Sequence, residues 1–402
     1  MVKPLRGVKV VELATWAALP GGAAILGDWG ADVVKIEDPR SGDPLRGFHH
    51  NVGGGPENAP PPAFEQKNRN KRDVALDVST PAGQDVIRTL LHKADVFVTS
   101  MRPVTLARYK LTHAELIEKN PGLITVHLSG FGHKGPDSHR PGYDALCFWS
   151  RTGLARSLAG FDADPISQRP AQGDLTTSIG IAGGVCAALY ERSQTGKGQE
   201  VLASLYGTGL WVVSSDLATT FVTGENPRKL ARKDVGNPLV TTYKTKDSWV
   251  HLVNLQSERF WPPLCRAVGR KDLIDDERFN DPVKRSENGS ELIEIFDTEF
   301  AKRTIDDWQP RLDAEGIRWG RVPTTLDASR DEQAWANGYY QTIPHPDRGE
   351  MTFVSSPLQF GGEPSPIERP APSVGQHTEE VLLDYGYSWD QINALRDDNV
   401  VL

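Results

Sequence analysis

Cysteine is scarce in this 402-residue chain, and its scarcity limits the kinds of site that the protein can contain. The three cysteines, Cys147, Cys186 and Cys265, form no close pair in the sequence. Such scattered thiols suggest neither a disulfide framework nor a zinc site. We expect each thiol to be a buried structural group, the protein to occupy a reducing compartment, and no metal to be bound.

Long apolar runs and an excess of positive charge are also missing. No window approaches the roughly 18 uninterrupted apolar residues that indicate a transmembrane helix. Residues 1–7 contain no apolar segment of the kind found in signal peptides, so we expect a cytoplasmic protein with no membrane partner. The formal net charge of −8 argues against general nucleic-acid binding, and any anionic ligand therefore needs a local cluster of cations.

The start of the chain has the pattern of a β-α-β unit. A β-branched apolar run at 8–13 predicts a buried strand, a Pro-Gly-Gly turn occupies 20–22, a helix is expected at 23–29, and 30–37 predicts a second strand. This order predicts a parallel, doubly wound α/β sheet. The turn lacks the G-x-G-x-x-G spacing, so a dinucleotide site is not supported.

The rest of the chain divides into three parts by composition. Further strands are expected at 73–78, 94–98, 123–128 and 200–204, with helices at 80–92 and 175–193. We predict a large Rossmann-like α/β domain that begins with 1–222, a small α+β domain at 223–330, and a return segment with a C-terminal helix at 331–402 that completes the large domain. Within the large domain, the Gly- and Pro-rich segment 38–64 predicts a long irregular excursion.

A polar turn ends in Gly173–Asp174 and leads into the small-residue helical run at 175–193. Asp174 stands where a helix N-cap is expected, facing the unpaired amides of the first turn. It could be only a cap. It could also be a carboxylate nucleophile, since the helix dipole and the free amides favour its ionised form and could hold a developing oxyanion.

Basic residues cluster in two places. The segment 67–72 contains four cations directly before the strand at 73–78, and it is either a solvated loop or a phosphate-binding cluster. Arg102 and Arg108 follow the strand at 94–98, at the edge where open α/β sheets bind their ligands.

Several segments, taken in order, carry a family resemblance. They are 5–12, 26–37, 41–46, 70–72, 173–174, 195–199 and 371–379. Together they resemble the family III CoA-transferases (the CaiB/BaiF family), which include formyl-CoA and 2-hydroxyacyl-CoA transferases and are related to α-methylacyl-CoA racemases. The similarity extends over nearly the whole chain, so it is specific at the level of the superfamily.

The resemblance implies an enzyme that transfers CoA from an acyl-CoA donor to a free carboxylic-acid acceptor. Asp174 matches the family's covalent nucleophile, which forms a mixed anhydride with the donor and then an aspartyl-CoA thioester. Coenzyme A or acyl-CoA is then a substrate, and no permanently bound cofactor or metal is implied. The family's architecture further implies an interlocked homodimer.

Coenzyme A carries three phosphate groups, so the resemblance also gives the basic residues a role. The implied CoA-binding residues are Arg40, Lys71, Arg72, Arg102 and Arg108. Among them, Arg108 is the best placed at the sheet edge.

Three departures from the patterns of family members bear on the reaction. Ala17 stands where family members often have Gln, and the glycine-rich lid of formyl-CoA transferases, expected near 240–260, is absent. Tyr143 stands where the racemases have His, and tyrosine, with an ordinary pKa of ~10, is a poor base at neutral pH. This favours transfer over an α-methylacyl-CoA racemase or epimerase. A non-catalytic CoA-binding protein is the other alternative.

The stretch 148–153 is similar to the aromatic-aromatic-x-Arg-x-Gly pattern of transferases that act on 2-hydroxy or aryl acids, and of bile-acid relatives. It implies a 2-hydroxy, aryl or steroid-type acceptor. The candidate substrate pocket consists of Trp16, Ala17, Phe131, Tyr143, Phe148, Trp149 and Gly173. Each of these aromatics could equally be an ordinary core residue.

Overall fold

The computed structural model describes residues 2–48 and 61–402. The chain divides into two compact units. The first is Met1–Leu158, Pro165–Glu225 and Trp335–Leu402, and the second is Ala159–Asp164 and Asn226–Ala334. The boundaries after 222 and 330 remain a sequence-based prediction, whereas the compact units change over after 225 and 334.

Strands and helices alternate over much of the chain. The strands are β1 (Lys9–Leu13), β2 (Asp32–Glu37), β3 (Lys71–Ala75), β4 (Val96–Thr99), β5 (Ile124–Ser129), β6 (Glu200–Ser204), β7 (Val240–Lys244), β8 (Trp249–Val253), β9 (Trp319–Arg321), β10 (Tyr340–His345), β11 (Gly349–Val354), β12 (Gln359–Phe360) and β13 (Glu363–Pro364). The helices are α1 (Ala18–Asp28), α2 (Pro62–Asn68), α3 (Pro81–His92), α4 (Pro103–Tyr109), α5 (His113–Ile117), α6 (Leu154–Ser157), α7 (Gln172–Thr195), α8 (Leu205–Val212), α9 (Ser214–Thr223), α10 (Ser257–Val268), α11 (Pro282–Glu287), α12 (Gly289–Phe300), α13 (Ile305–Ala314), α14 (Thr325–Ala328), α15 (Glu332–Ala336), α16 (Thr378–Asp384) and α17 (Trp389–Asp397). Within the described ranges, no helix combines the length and apolar character needed to cross a membrane.

Strands β1 to β6 form one parallel sheet in the order β3-β2-β1-β4-β5-β6. Alternating side chains reach both of its faces. Val10 and Val33 pack with α1 and α7 on one side, whereas Val11 and Val34 pack with α3 and α16 on the other. The predicted Rossmann-like, doubly wound sheet is confirmed. The strand order reverses between β1 and β4, and the crevice beyond the carboxyl ends of such strands is the usual ligand site of this architecture.

Helix α1 begins before the predicted helix at 23–29, so the turn expected at 20–22 is wrong. Pro20 is the third residue of α1, where a backbone amide has no intrahelical acceptor and proline costs little. The following glycines face α7, and a Cβ added to Gly21 would lie 2.5 Å from Ser178 Oγ. These glycines therefore allow two helices to pack closely. Ser178 Oγ also donates a hydrogen bond to the carbonyl of Ala18, at 2.6 Å.

The predicted excursion at 38–64 falls largely on 49–60, outside the described residues. On its described amino-terminal side, Pro44–Gly47 forms a short 3₁₀ helix that is capped by the Asp43 carboxylate. On the carboxyl-terminal side, α2 begins at Pro62 and leads into β3. The first flank therefore follows the carboxyl end of β2, whereas the second enters β3 at its amino end.

The second unit is built around the antiparallel sheet β7-β8-β9. Its core contains large aromatics, and Tyr243 stacks on Phe300 at a ring-centroid distance of 5.1 Å. Helices α10, α12 and α13 contribute most of the other buried side chains. This unit has the predicted α+β character.

Candidate active site

Helix α7 presents Asp174 in its first turn. The helix begins at Gln172, and Ala171 before it adopts a left-handed conformation with φ 63° and ψ 20°. Asp174 is therefore the third residue of the helix, and its predicted position as the N-cap is wrong. A non-glycine residue in this conformation costs on the order of 1–3 kcal/mol, and such residues concentrate at functional sites.

Asp144 supplies the carboxylate that caps this helix. Its Oδ2 accepts hydrogen bonds from the backbone amides of Gly173 and Asp174, at 3.0 and 3.2 Å. Its Oδ1 accepts from Gln168 Nε2 at 2.7 Å. Asp144 is only 8% exposed. Because its carboxylate already binds these two amides, they are not free to hold an oxyanion, contrary to the sequence-based expectation.

The environment of Asp174 disfavours its ionised form. Burial, together with the neighbouring charge of Asp144, raises the pKa of its carboxyl group to about 7, and Lys67 opposes both effects. The expectation that the helix end would favour ionisation is therefore wrong. The physical reasons are burial, which disfavours the charged form, and Asp144, which binds the amides that were expected to stabilise the Asp174 carboxylate.

Asp174 lines a large cavity at the point where the strand order of the sheet reverses. The cavity has a volume of about 1870 Å³. Segment 15–19 follows β1 and segment 100–104 follows β4, and both form part of its wall. The loop 165–171 before α7 closes another part. The volume is ample for an extended thioester together with a second small molecule.

The cavity wall is rich in cations although the chain carries net negative charge. The lysine and arginine residues that line it are Lys67, Arg102, Arg140, Arg169 and Arg348. The lining carboxylates are Asp144, Asp174 and Glu200. A cavity with an excess of cations attracts a polyanionic ligand, and it can also receive a second, carboxylate-bearing one.

Comparison with known proteins identifies the family. The sequence matches CoA-transferase family III over residues 5–378. It is 34% identical over 403 residues to the (R)-2-hydroxy-4-methylpentanoate CoA-transferase of Clostridioides difficile, and the alignment covers 99% of each chain. The chain belongs to the family III CoA-transferases.

Two further relatives agree with this assignment. The cinnamoyl-CoA:phenyllactate CoA-transferase of Clostridium sporogenes is 30% identical over 404 residues, with 98% of this chain and 97% of the relative covered. A crystal structure of a CaiB/BaiF family protein from Brucella suis superposes with a TM-score of 0.86 at 26% identity, covering 96% of this chain and 100% of that one. The fold and the enzyme class are therefore those of a CoA-transferase, whose substrates are CoA thioesters.

The predicted substrate-pocket residues of this CoA-transferase divide into two groups. Four of them line the cavity: Trp16, Ala17, Tyr143 and Trp149. Phe148 and Gly173 lie behind the wall, where a Cβ on Gly173 would be 2.2 Å from Phe148 Cγ. Phe131 stacks with the guanidinium groups of Arg140 and Arg151. The substrate roles of all seven stay predictions.

Trp16 is held in an unusual backbone conformation at the cavity. Its φ is 70°, and its amide donates a hydrogen bond to Asp43 Oδ1 at 3.1 Å. Its indole meets the ring of Tyr143 edge-on, with centroids 5.9 Å apart. Such strain in a large aromatic residue is retained only where the surrounding contacts impose it.

Two of the five predicted CoA-binding cations already form hydrogen bonds and salt bridges within the protein. The Lys71 ammonium is fully buried and donates to Glu12, to Asn68 and to a backbone carbonyl. Arg72 pairs with Asp32, Glu380 and Asp384. An ammonium has three donors, so Lys71 has none left for a phosphate in this arrangement. In this arrangement both residues stabilise the fold, and their role as CoA ligands stays a prediction.

The other three cations differ in their position. Arg102 precedes α4 and lines the cavity. Arg108 is exposed in the last turn of the same helix, where its guanidinium lies over the Tyr109 ring, 4.8 Å from the centroid. Arg40 is exposed at the surface and pairs with Asp38 and Asp77. The CoA contacts of these three residues stay predictions.

Asp144 and Lys67 are the site residues that sequence reasoning misses. Asp144 directly follows Tyr143, in the segment that bears on racemisation. Lys67 opens the basic segment 67–72, from which the family motif selects Lys71 and Arg72. A signal exists for Asp144, since an isolated carboxylate beside a pocket candidate is a possible partner for Asp174. The sequence offers no comparable signal for Lys67.

Proposed function

We propose that this CoA-transferase moves CoA through a covalent intermediate on Asp174. The observation that carries the proposal is the placement of Asp174, half-buried on the wall of the cationic cavity, with its carboxylate not used as a helix cap. A carboxylate can exchange activated acyl groups without an added base, because each step replaces one acyl bond with another.

The proposed sequence has four balanced steps. The Asp174 carboxylate attacks the donor thioester, forming a mixed anhydride and releasing CoA thiolate. The thiolate attacks the aspartyl carbonyl, which gives aspartyl-CoA and the free donor acid. The acceptor carboxylate then attacks aspartyl-CoA, and a second anhydride forms as CoA thiolate leaves. Finally the thiolate attacks the acceptor's carbonyl, which yields acceptor-CoA and regenerates Asp174.

The cations of the cavity can stabilise the negative charges that arise during these reaction steps. Every step either consumes or releases a thiolate or a carboxylate, and the CoA phosphates remain anionic throughout. Arg102 lies at the carboxyl edge of the sheet, where the phosphates of a nucleotide commonly bind. Lys67 is close enough to Asp174 to affect the ionisation of its carboxylate.

We propose a 2-hydroxy acid with a branched or aryl side chain as the acceptor. Two relatives are named for such acids, 2-hydroxy-4-methylpentanoate and phenyllactate. The apolar part of the cavity wall, which includes Trp16, Leu45 and Trp149, offers contacts for an apolar side chain. A steroid-type carboxylic acid is the larger alternative acceptor.

We also propose the interlocked homodimer that the family resemblance implies, in a cytoplasmic enzyme. The large exposed apolar side chains of α8 and α9 support an interface, since Trp211, Phe221 and Val222 are 78%, 82% and 88% exposed in the single chain. Light scattering should give twice the chain mass. A monomer at micromolar concentration contradicts this part of the proposal.

One experiment tests the reaction. The protein is incubated with a panel of acyl-CoA donors and acids, treated with hydroxylamine or borohydride, digested, and mapped by mass spectrometry. We expect a modified peptide at Asp174 together with CoA exchange, and neither should occur with Asp174→Asn. Turnover without a trapped adduct contradicts the covalent route. Loss of α-hydrogen to deuterated water without CoA exchange indicates a racemase, and binding without either reaction indicates a non-catalytic CoA-binding protein.

A further inference from the structure

Two side chains of opposite charge flank Asp174, and neither belongs to the sequence motif of the nucleophile. We propose that Asp144 and Lys67 are positioning residues that act in opposite directions on the Asp174 carboxylate and together set the pH range in which it can react. The inference rests on the proposed role of Asp174 as the nucleophile.

Asp144 acts through the backbone and through its charge. Its hydrogen bonds to the amides of Gly173 and Asp174 hold the first turn of α7 in place, and Gln168 fixes the other carboxylate oxygen. Gly173 makes this approach possible, since a Cβ there would lie 2.3 Å from Asp144 Oδ1. The same arrangement brings one negative charge next to another, which favours the protonated form of Asp174.

Lys67 acts from a different element, helix α2. It is 5% exposed and lines the cavity with its ammonium bonded to the carbonyl of Ala63, at 3.1 Å. One protein hydrogen bond leaves two ammonium donors for a ligand or for water. Burial lowers the pKa of Lys67, and the attraction of Asp174 partly offsets this effect. Lys67 and Asp174 therefore stabilise each other's charged forms.

Cys147 is another titratable group near this carboxylate, and the charge of Asp174 acts on its thiol. Cys147 lies in the π-helical turn Ala145–Ser150, and burial raises the pKa of its thiol to about 11. The thiol is therefore neutral at physiological pH and adds no charge. Among the described residues, the balance at Asp174 thus depends on burial, Asp144 and Lys67.

The arrangement has a chemical consequence for the proposed reaction. A carboxylate of raised basicity is a stronger nucleophile than an ordinary aspartate, provided that it is deprotonated. Asp144 and burial raise the basicity, and Lys67 preserves the deprotonated fraction. When a thioester or acceptor acid enters, the spare donors of Lys67 face the same space as its carbonyl or carboxylate oxygens.

The test compares two variants that should move the acid limb of the pH profile of kcat/KM in opposite directions. Asp144→Asn keeps an oxygen that can accept the two amides but removes the charge, so the acid limb of kcat/KM against pH should move to lower pH by about one unit. Lys67→Gln removes the positive charge, and the limb should move to higher pH by a similar amount, about one unit. Because the parent carboxyl group has a pKa of about 7, these shifts correspond near pH 6 to roughly a fivefold gain and a tenfold loss of rate relative to the parent. The matched surface controls, Asp85→Asn and Lys119→Gln, should leave the profile in place.

A second readout does not depend on turnover. Carbodiimide labelling of Asp174, measured at the peptide level across the same pH range, follows its protonation directly and should show the same opposite shifts. Loss of turnover with intact labelling shifts separates failure of the proposed reaction from failure of this inference. Shifts of the same sign, or no shift in either variant, overturn it. If the thermal midpoint shows that Asp144→Asn is unfolded, Lys67→Gln decides alone, because Lys67 takes no part in the hydrogen bonds at the start of α7.

Discussion

Two groups of charged side chains are buried or half-buried in the first unit, and they are organised in opposite ways. The first, which we call the sheet network, consists of Glu12, Lys35, Asp43 and Lys71, all at most 1% exposed. The second, the cavity group, consists of Asp174, Asp144 and Lys67. The sheet network is saturated with hydrogen bonds and paired charges, whereas the cavity group is not.

The saturation of the sheet network is apparent at Lys35. Its ammonium donates to Glu12, to Asp43 and to the carbonyl of Ala14, each at 2.9–3.0 Å. Burial opposes ionisation of Glu12, but Lys35 and Lys71 outweigh it and lower its pKa. In the cavity group, by contrast, Asp174 has no hydrogen-bond donor to its carboxylate among the described residues, and its pKa is raised. Buried charges with every partner in place maintain structure, while an uncompensated one marks a reactive site.

The largest expected effect comes from breaking the sheet network. Lys35→Met should lower the free energy of unfolding by about 3–5 kcal/mol, because it leaves the buried carboxylates without one of their two ammonium partners. Urea denaturation measures the change, and Lys119→Met on the surface should stay within about 0.5 kcal/mol of the parent. A loss below about 1 kcal/mol would show that the network is not saturated in the way described.

Neutralising Asp174 should raise the free energy of unfolding, whereas Lys35→Met lowers it. The folded-state pKa of Asp174, about 7, lies above the ordinary 3.8, so the folded protein binds this proton more tightly than the unfolded chain. Stability is therefore lost as pH rises from 3.8 to 7 and stays lower above that. Asp174→Asn removes this cost, and its stability advantage over the parent should grow by about 2–3 kcal/mol between pH 5 and pH 8.

Urea unfolding at both pH values tests this prediction, with Asp85→Asn as the matched surface control. The variant should be inactive although it is more stable. A variant that is less stable than the parent at pH 8 would mean that Asp174 is stabilised in its ionised form, and the contrast between the two groups would then be lost.

The two groups also differ in how far the sequence predicts them. The β-α-β start and the strand at 200–204 are predictable because an apolar run bounded by turn residues gives local information. Asp174 is found through an ordered set of motifs. Its partner Asp144 lies 30 residues earlier, and only the fold brings the two together. Likewise, Lys67 and Lys71 have the same chemistry in one short segment, and tertiary packing alone decides which of them reaches the cavity.

The smallest expected effect concerns two cations that the fold leaves available to bind a ligand. Arg102 lines the cavity and Arg108 follows it on α4, and no buried ion pair holds either guanidinium in the described structure. Replacing either by Ala should raise the KM for acyl-CoA by about tenfold, the equivalent of one charged hydrogen bond of about 1.4 kcal/mol, and leave kcat unchanged.

Arg72→Ala is the matched contrasting variant. Steady-state kinetics with a fixed acceptor acid measure the KM for acyl-CoA in all of these variants. The Arg72 guanidinium is paired with Asp32, Glu380 and Asp384, so Arg72→Ala should lower the denaturation midpoint and leave the KM of the folded fraction unchanged. A raised KM in Arg72→Ala together with an unchanged one in Arg102→Ala would reverse the assignment. The phosphates of CoA would then have to bind where the salt bridges now lie, and the family motif would be a better guide to this site than the geometry of the cavity.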